Sequence, residues 1–184
     1  QQGNELFSIL LLNDDIGDAD LKSIVSPYAL HIECIEYRNR TPVQLRIELL
    51  RQAKLRQADL LILGDCDDYF SHNRVQNIIN TYEKHLDKAF FYNDLVNMNG
   101  ERLMPELPKE VIRFEDIGEY NFLGLSNTAV NIDKLSYEFI ESLKEYHYYI
   151  FDWYFYSRIL LLGLSGVKVQ NCNTIYRLHE NNLA

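Results

Sequence analysis

Ala58-Asp59-Leu60-Leu61-Ile62-Leu63-Gly64-Asp65-Cys66-Asp67-Asp68-Tyr69-Phe70 is the stretch whose reading decides the fold. Its apolar run from Leu60 to Leu63 reads as a buried strand, and that strand empties into three carboxylates, Asp65, Asp67 and Asp68. Carboxylates this close repel one another and resist desolvation, so a strand end that carries them needs compensation. A divalent cation with oxygen ligands supplies it, and Asp-x-Asp at the carboxyl end of a strand is a good way to build such a site. The alternative is a solvated acidic turn that caps a helix beginning near Asn73. Open α/β sheets place ligands at the carboxyl ends of their strands, which favours the metal.

Working outward, strands and helices alternate through the first 95 or so residues, the pattern of a parallel or mostly parallel sheet. Leu6 to Leu12 reads as a fully buried strand ending in Asn13-Asp14-Asp15, followed by a short helix from Asp18 to Val25. His31 to Tyr37 is a second strand. Thr41-Pro42 opens a helix with Thr as N-cap and Pro at the first helical position, and Leu45, Leu49 and Ala53 recur along it. Beyond the acidic stretch, Val75, Ile78, Ile79, Tyr82 and Leu86 form one helical face. Lys88 to Tyr92 is a strand, and Asn99-Gly100 signals a tight hairpin. Asp133 is expected to cap a helix carrying Leu135, Phe139, Ile140 and Leu143, and Phe151 to Leu162 forms an aromatic helix stopped by Gly163. Short strands near Val167–Val169 and Thr174–Leu178 close the chain. The expectation is one domain over 1–184, with an alternating first half (1–94) and a second half (95–184) that mixes hairpin, helices and short strands.

Composition narrows the function. The chain has 184 residues, 47% hydrophobic and 24% charged, which is ordinary for a globular domain. A net charge of −9 argues against nucleic acid or an anionic membrane as the main partner. It does not exclude an anionic substrate, because a bound cation inverts the local field. Three scattered cysteines without a CxxC pair suggest a reducing compartment and no zinc site. No apolar run approaches the roughly 20 residues of a membrane span. A cytoplasmic location is expected, with peripheral attachment at the inner face of a membrane as an option.

Two further groups carry chemistry. Asp152 stands at the start of its helix, where it either complements the helix dipole or acts in a site. Arg177 and His179 have two-residue spacing, so an extended segment projects both to one face. They read either as a polar surface strand or as contacts to a phosphate and a metal.

Taken in order, these segments resemble the inverting GT-A glycosyltransferases of family 2. Asp65-Cys66-Asp67-Asp68 looks like that family's Asp-x-Asp-Asp segment, and Leu10-Leu11-Leu12-Asn13-Asp14-Asp15 is similar to its strand ending in a paired, nucleotide-contacting Asp. Tyr92-Asn93-Asp94 with Asn99-Gly100 resembles its hairpin, and Asn121 to Thr128 the segment before its acceptor-side helix. Phe151-Asp152-Trp153 looks like its acidic motif, and Tyr176-Arg177-Leu178-His179 like its closing Arg-x-His segment. The resemblance implies a GT-A fold, α/β with a mostly parallel central sheet flanked by helices. It implies metal-assisted, inverting transfer of a sugar from a nucleotide-diphosphate sugar to a carbohydrate or lipid-linked hydroxyl acceptor, in surface polysaccharide or glycoconjugate assembly. It further implies Asp152 as catalytic base, Asp14, Asp15, Asp65 and Arg177 as donor-binding residues, and Asp67, Asp65, Asp68 and His179 around a Mg2+ or Mn2+ ion, with 1–94 as the nucleotide- and metal-binding half and 95–184 as the acceptor-side half.

The departures are specific. The family's first strand and helix are absent, a βα unit of about 30 residues. Its Gly-Ser-Thr-Asp becomes Ile16-Gly17-Asp18-Ala19, and its Arg-Asn pair has no clean counterpart, with Arg46 or Arg51 as replacements. Two other readings compete. Asp59 to Asp65 also resembles the phospho-acceptor strand of a receiver domain, which would make Asp65 the phosphorylated residue of a signalling module. The chain also reads as an inactive GT-A domain that only binds nucleotide or carbohydrate.

Overall fold

A computed structural model describes residues 7–28, 31–145 and 150–177. The alternation expected for the first half is present: β1 (Ile9–Asn13), α1 (Asp18–Val25), β2 (Ile32–Glu36), α2 (Pro42–Leu55) and β3 (Leu60–Ile62). Thr41 starts α2 with a reciprocal pair of bonds, since its Oγ1 accepts the Gln44 N–H at 3.3 Å and its own N–H reaches Gln44 Oε1 at 3.0 Å. The second half holds β4 (Tyr69–Phe70), α3 (Arg74–Lys84), β5 (Phe90–Val96), β6 (Glu110–Val111), β7 (Thr128–Asn131), α4 (Tyr137–Ser142), α5 (Phe151–Leu161) and β8 (Gly166–Ile175).

The strands form two sheets. β1 pairs in parallel with β2 alone, while a six-stranded sheet runs in the order β3-β7-β5-β8-β4, with β6 added to β8. Strands β3, β5 and β8 point the same way, as a mostly parallel sheet requires, but β7 is inserted antiparallel between β3 and β5, and β4 and β6 pair antiparallel with β8. The sheet is therefore mixed, because β7 arrives from the 112–127 segment without the crossover helix that parallel entry needs. Helix α2 packs against both β1 and β3, yet those two strands do not pair with each other among the described residues. This explains why Ile9 to Leu12 are half-buried rather than fully buried as their unbroken apolar run predicts.

Other departures have local causes. The helix expected after Asp133 is split: Asn131 Oδ1 accepts the Asp133 N–H in a 3-10 turn over Ile132–Lys134, and Ser136 then caps α4. The two closing strands are one strand, β8, interrupted by a bulge between the pairs Tyr92–Lys168 and Asp94–Asn173. Asn171 has φ 59° in that bulge, and its carbonyl accepts the side-chain amides of Asn73, just before α3, and of Asn77 on α3. The Asn97–Gly100 turn forms as expected: Asn97 Oδ1 accepts the N–H of Asn99 and of Glu101, and Gly100 takes φ 82°.

Alternation along β5 distributes the core. Phe90 and Tyr92 face α5, α4 and α2, whereas Phe91 faces α3 through Ile78 and Tyr82. Phe151, Phe155, Tyr156, Ile159 and Leu160 bury most of α5, so the aromatic richness of this helix serves packing. Phe90 lies opposite Gly166 across the parallel β5–β8 pair, and a Cβ at 166 would stand 2.1 Å from the Phe90 ring. Gly166→Ala should consequently destabilise the fold by about 2 kcal/mol or more. Urea denaturation with an unchanged m-value is the measurement, and wild-type stability would contradict this packing.

Candidate active site

Strand β3 ends at Ile62, and the chain then passes through Leu63 and Gly64 into the acidic loop. The loop is closed by the Asp68 N–H donating to the Asp65 carbonyl at 3.2 Å, and it returns as β4. Because Tyr69 and Phe70 pair with Ile175 and Thr174, the end of β8 is carried to the same loop. The Arg177 N–H there donates to Asp68 Oδ1 at 3.1 Å, and the Arg177 guanidinium lies over the Tyr69 ring. The structure thus brings Arg177 beside the acidic loop. His179 lies outside the described residues.

The carboxylates differ in environment. Asp68 is 8% exposed, and its Oδ2 is buried without a hydrogen-bond partner. Asp65 and Asp67 are half-buried. Burial pushes the Asp65 carboxyl above its ordinary value; Arg46 opposes this, while Asp68, Asp67 and Asp152 add to it. Burial likewise raises Asp152, against the pull of the Trp153 N–H, which donates to Asp152 Oδ1 at 2.7 Å, and of Arg46. Asp65 and Asp152 therefore lie within electrostatic reach of one another and share one cation, Arg46 on α2. Of the two arginines considered as replacements for a missing Arg-Asn pair, Arg51 is engaged elsewhere, with Glu48 at 3.0 Å.

The link between the two acids is the 121–128 segment. Asp65 N–H donates to Ser126 Oγ at 3.3 Å. A Cβ placed on Gly124 would lie 3.9 Å from Asp152 Oδ2 and 3.2 Å from the buried, unpartnered Asn127 Oδ1. Glycine at 124 thus leaves open the space beside Asp152.

Asp14 and Asp15 are not joined to this cluster by any hydrogen bond or ion pair among the described residues. Asp14 Oδ1 accepts the Arg40 N–H at 3.3 Å, on the turn that leads into α2. Their position at the end of β1 follows the expected pattern, but β1 belongs to the separate two-stranded sheet. Asp94, in the hairpin-like segment, is engaged by Lys168 at 2.8 Å and Arg102 at 3.5 Å.

Beneath the acidic loop lies a residue that the sequence reading passed over. Arg74, 3% exposed, opens α3 and donates to the carbonyls of Leu63 (2.9 Å), Ser126 (2.9 Å) and Thr128 (3.4 Å) and to Asn93 Oδ1 (3.1 Å). Its guanidinium stacks over Phe70 at 4.6 Å. Burial lowers it to about 10, so it remains charged at neutral pH. Asn93, Asn127, Thr128 and Thr174 extend this buried polar layer, and Tyr156 Oη donates to Thr128 Oγ1 at 2.5 Å. A signal was present in the sequence: Arg74 shares the buried helical stripe of Ile78 and Tyr82, and a cation at a helix N-terminus opposes the dipole.

Among the described residues, no three acidic, imidazole or thiol groups converge as a ready ligand set. That does not conflict with Mg2+ or Mn2+ in such a place, since Mg2+ usually takes one or two carboxylates plus substrate phosphates and water. The unpartnered Oδ2 of Asp68, on a loop with Asp65 and Asp67, suits that arrangement.

No protein-family model matches the chain, and no curated protein matches it. Among solved structures it is similar to that of GalNAc-T7 with UDP, GalNAc and Mn2+, at 14% identity and a TM-score of 0.60. The match covers 94% of this chain and 38% of the other. The fold is α/β and GT-A-like. No described helix is long and apolar enough to cross a membrane.

The raised Asp152 carboxyl gives a sign for stability against pH. The folded protein holds this proton more tightly than the unfolded chain, so the associated stability is full below the ordinary Asp value near 3.8 and is lost as pH rises through the raised folded value. Asp152→Asn, which keeps an acceptor for the Trp153 N–H, should therefore melt higher than wild type at pH 7. The gap should close toward pH 4. Thermal melts across that range are the check, and a destabilised variant at pH 7 would contradict the desolvation account.

Proposed function

We propose that this chain is a glycosyltransferase domain that moves a sugar from a nucleotide-diphosphate sugar to a hydroxyl of a carbohydrate or lipid-linked acceptor. The observation that carries this reading is the meeting of the Asp65–Asp68 loop, at the end of β3, with Asp152, at the start of α5, around Arg46 in a GT-A-like fold. The mechanism follows the inverting family 2 pattern. Asp152 accepts the proton of the acceptor hydroxyl. That oxygen bonds to the anomeric carbon from the face opposite the diphosphate, whose C–O bond breaks with the electron pair departing on phosphate. The raised carboxyl of Asp152 makes it a stronger base than a solvated aspartate. Asp67, with Asp65 and Asp68, would hold Mg2+ or Mn2+, which supplies charge compensation for the leaving diphosphate. Arg177 adds a donor to the same phosphates, and His179 stands two positions further on. Asp14 and Asp15 contact the base or ribose of the donor. Surface polysaccharide or glycoconjugate assembly, on the cytoplasmic side of a membrane, is the setting this chemistry suits.

The receiver reading has less support. Doubly wound receivers of the flavodoxin-like order place the acceptor strand inside a parallel sheet, whereas β3 stands at the end of its sheet order and pairs antiparallel with β7. An inactive binding domain remains distinct by its outcome: donor binding without turnover.

UDP- and GDP-sugars with Mn2+ and a panel of glycan acceptors test the proposal. Asp152→Asn should lower turnover by about 10²- to 10⁴-fold while nucleotide binding persists, and undiminished turnover would sink the base assignment. Asp67→Ala should abolish the Mn2+-dependent part of UDP affinity in calorimetry. Unchanged affinity would remove Asp67 from the metal site.

A further inference from the structure

Arg74 occupies a position that is unfavourable on three counts. It is almost wholly buried, it sits at the start of α3 where the helix dipole repels a cation, and no carboxylate pairs with it within 4 Å among the described residues. A buried charge of this kind adds little to stability over a well-packed apolar side chain, so packing alone does not account for it. What its four bonds share is the acidic site. Leu63, whose carbonyl it holds, immediately precedes Gly64 and Asp65. Ser126 gives its carbonyl to Arg74 and its Oγ to the Asp65 N–H. A closed ring results: Arg74 to Leu63, along the chain to Asp65, across to Ser126, and back to Arg74. Gly124, two residues before Ser126, faces Asp152. Asn93 and Thr128 tie the same guanidinium to β5 and β7, which fixes the ring to the sheet.

We propose that Arg74 is the positioning residue of this centre, its guanidinium setting the separation between the Asp65–Asp68 loop and the Gly124–Ser126 turn beside Asp152. Charge is part of the role, because Asp68 lies within electrostatic reach of the guanidinium, and a neutral group of the same shape would leave that buried carboxylate less compensated. The significance of this spacing rests on the glycosyltransferase reading, but the clamp itself can be measured without any ligand.

Cys66 lies within the loop and is exposed, Cys34 is exposed at a distance on β2, and Cys172 is buried. Cys66 stands between Asp65 and Asp67 in the clamped loop, so its alkylation rate reports on how firmly that loop is held over the thiol. Iodoacetamide labelling read residue by residue in Arg74→Ala should show severalfold faster reaction at Cys66, with Cys34 and Cys172 unchanged. Millimolar guanidinium should restore the wild-type rate, and urea, its neutral isostere, should not. In parallel, Mn2+-dependent UDP affinity should fall by about tenfold or more and recover with guanidinium alone. An unchanged Cys66 rate in a folded variant overturns the proposal, and rescue by urea as effective as that by guanidinium overturns the role of charge. If Arg74→Ala reacts at all three cysteines and is therefore unfolded, Arg74→Lys replaces it. Lysine cannot reach oxygens on several sides, so faster labelling at Cys66 alone supports the clamp, and wild-type rates overturn it. Wild-type protein that binds no UDP with Mn2+, yet shows the Cys66 effect, would count against the transferase reading and not against the clamp.

Discussion

The structure depends on one buried guanidinium satisfied by oxygen dipoles. Three backbone carbonyls and one side-chain amide from three different segments converge on Arg74. Each of those acceptors, left alone in an apolar interior, would cost free energy of the order of 1–3 kcal/mol. Met together, they specify where the end of β3, the start of β7, the middle of β5 and the start of α3 must lie. The polar layer through Asn93, Asn127, Thr128 and Thr174 then couples this point to β8 and, through Tyr156, to the aromatic helix α5. An acidic rim above and an apolar core below are both registered against it.

Electrostatics gives the rim its character. Asp65 and Asp152 are raised chiefly by desolvation, with Arg46 acting against that on both. In a chain with a net charge of −9, concentrating further negative charge in a half-buried crevice is costly, and Arg46 offsets part of that cost.

Much of this was legible in the sequence. Thr41-Pro42 defined the start of α2, Gly163 the end of α5, and the apolar run with its trailing aspartates defined β3 and the acidic loop. These signals are local: capping, backbone restriction and hydrophobic period. The antiparallel insertion of β7 was not legible, because Thr128-Ala129-Val130-Asn131 is a short run whose partners lie some 30 to 70 residues away in β5 and β3. The fusion of two expected strands into β8 was hidden for a related reason, as its bulge is held by asparagines in and just before α3, distant in sequence. Of the candidate site residues, Asp65, Asp67, Asp68 and Asp152 could be singled out because carboxylates stand out at strand and helix ends. Arg74 could not be weighed without knowing which carbonyls it meets. Asp14 and Asp15 were placed by the same strand-end logic, but strand order, which decides their neighbours, is not written in local periodicity.

The separation of β1 and β2 from the main sheet has an energetic meaning of its own. A two-stranded sheet is marginal in isolation, and this one leans on α2, the helix that also presents Arg46 to the acid pair. Helix α2 is thereby the shared support of the β1–β2 unit and of the cation that acts on Asp65 and Asp152. The protonation of that acid pair and the seating of the strand that ends in Asp14 and Asp15 are in this way referred to a single helix.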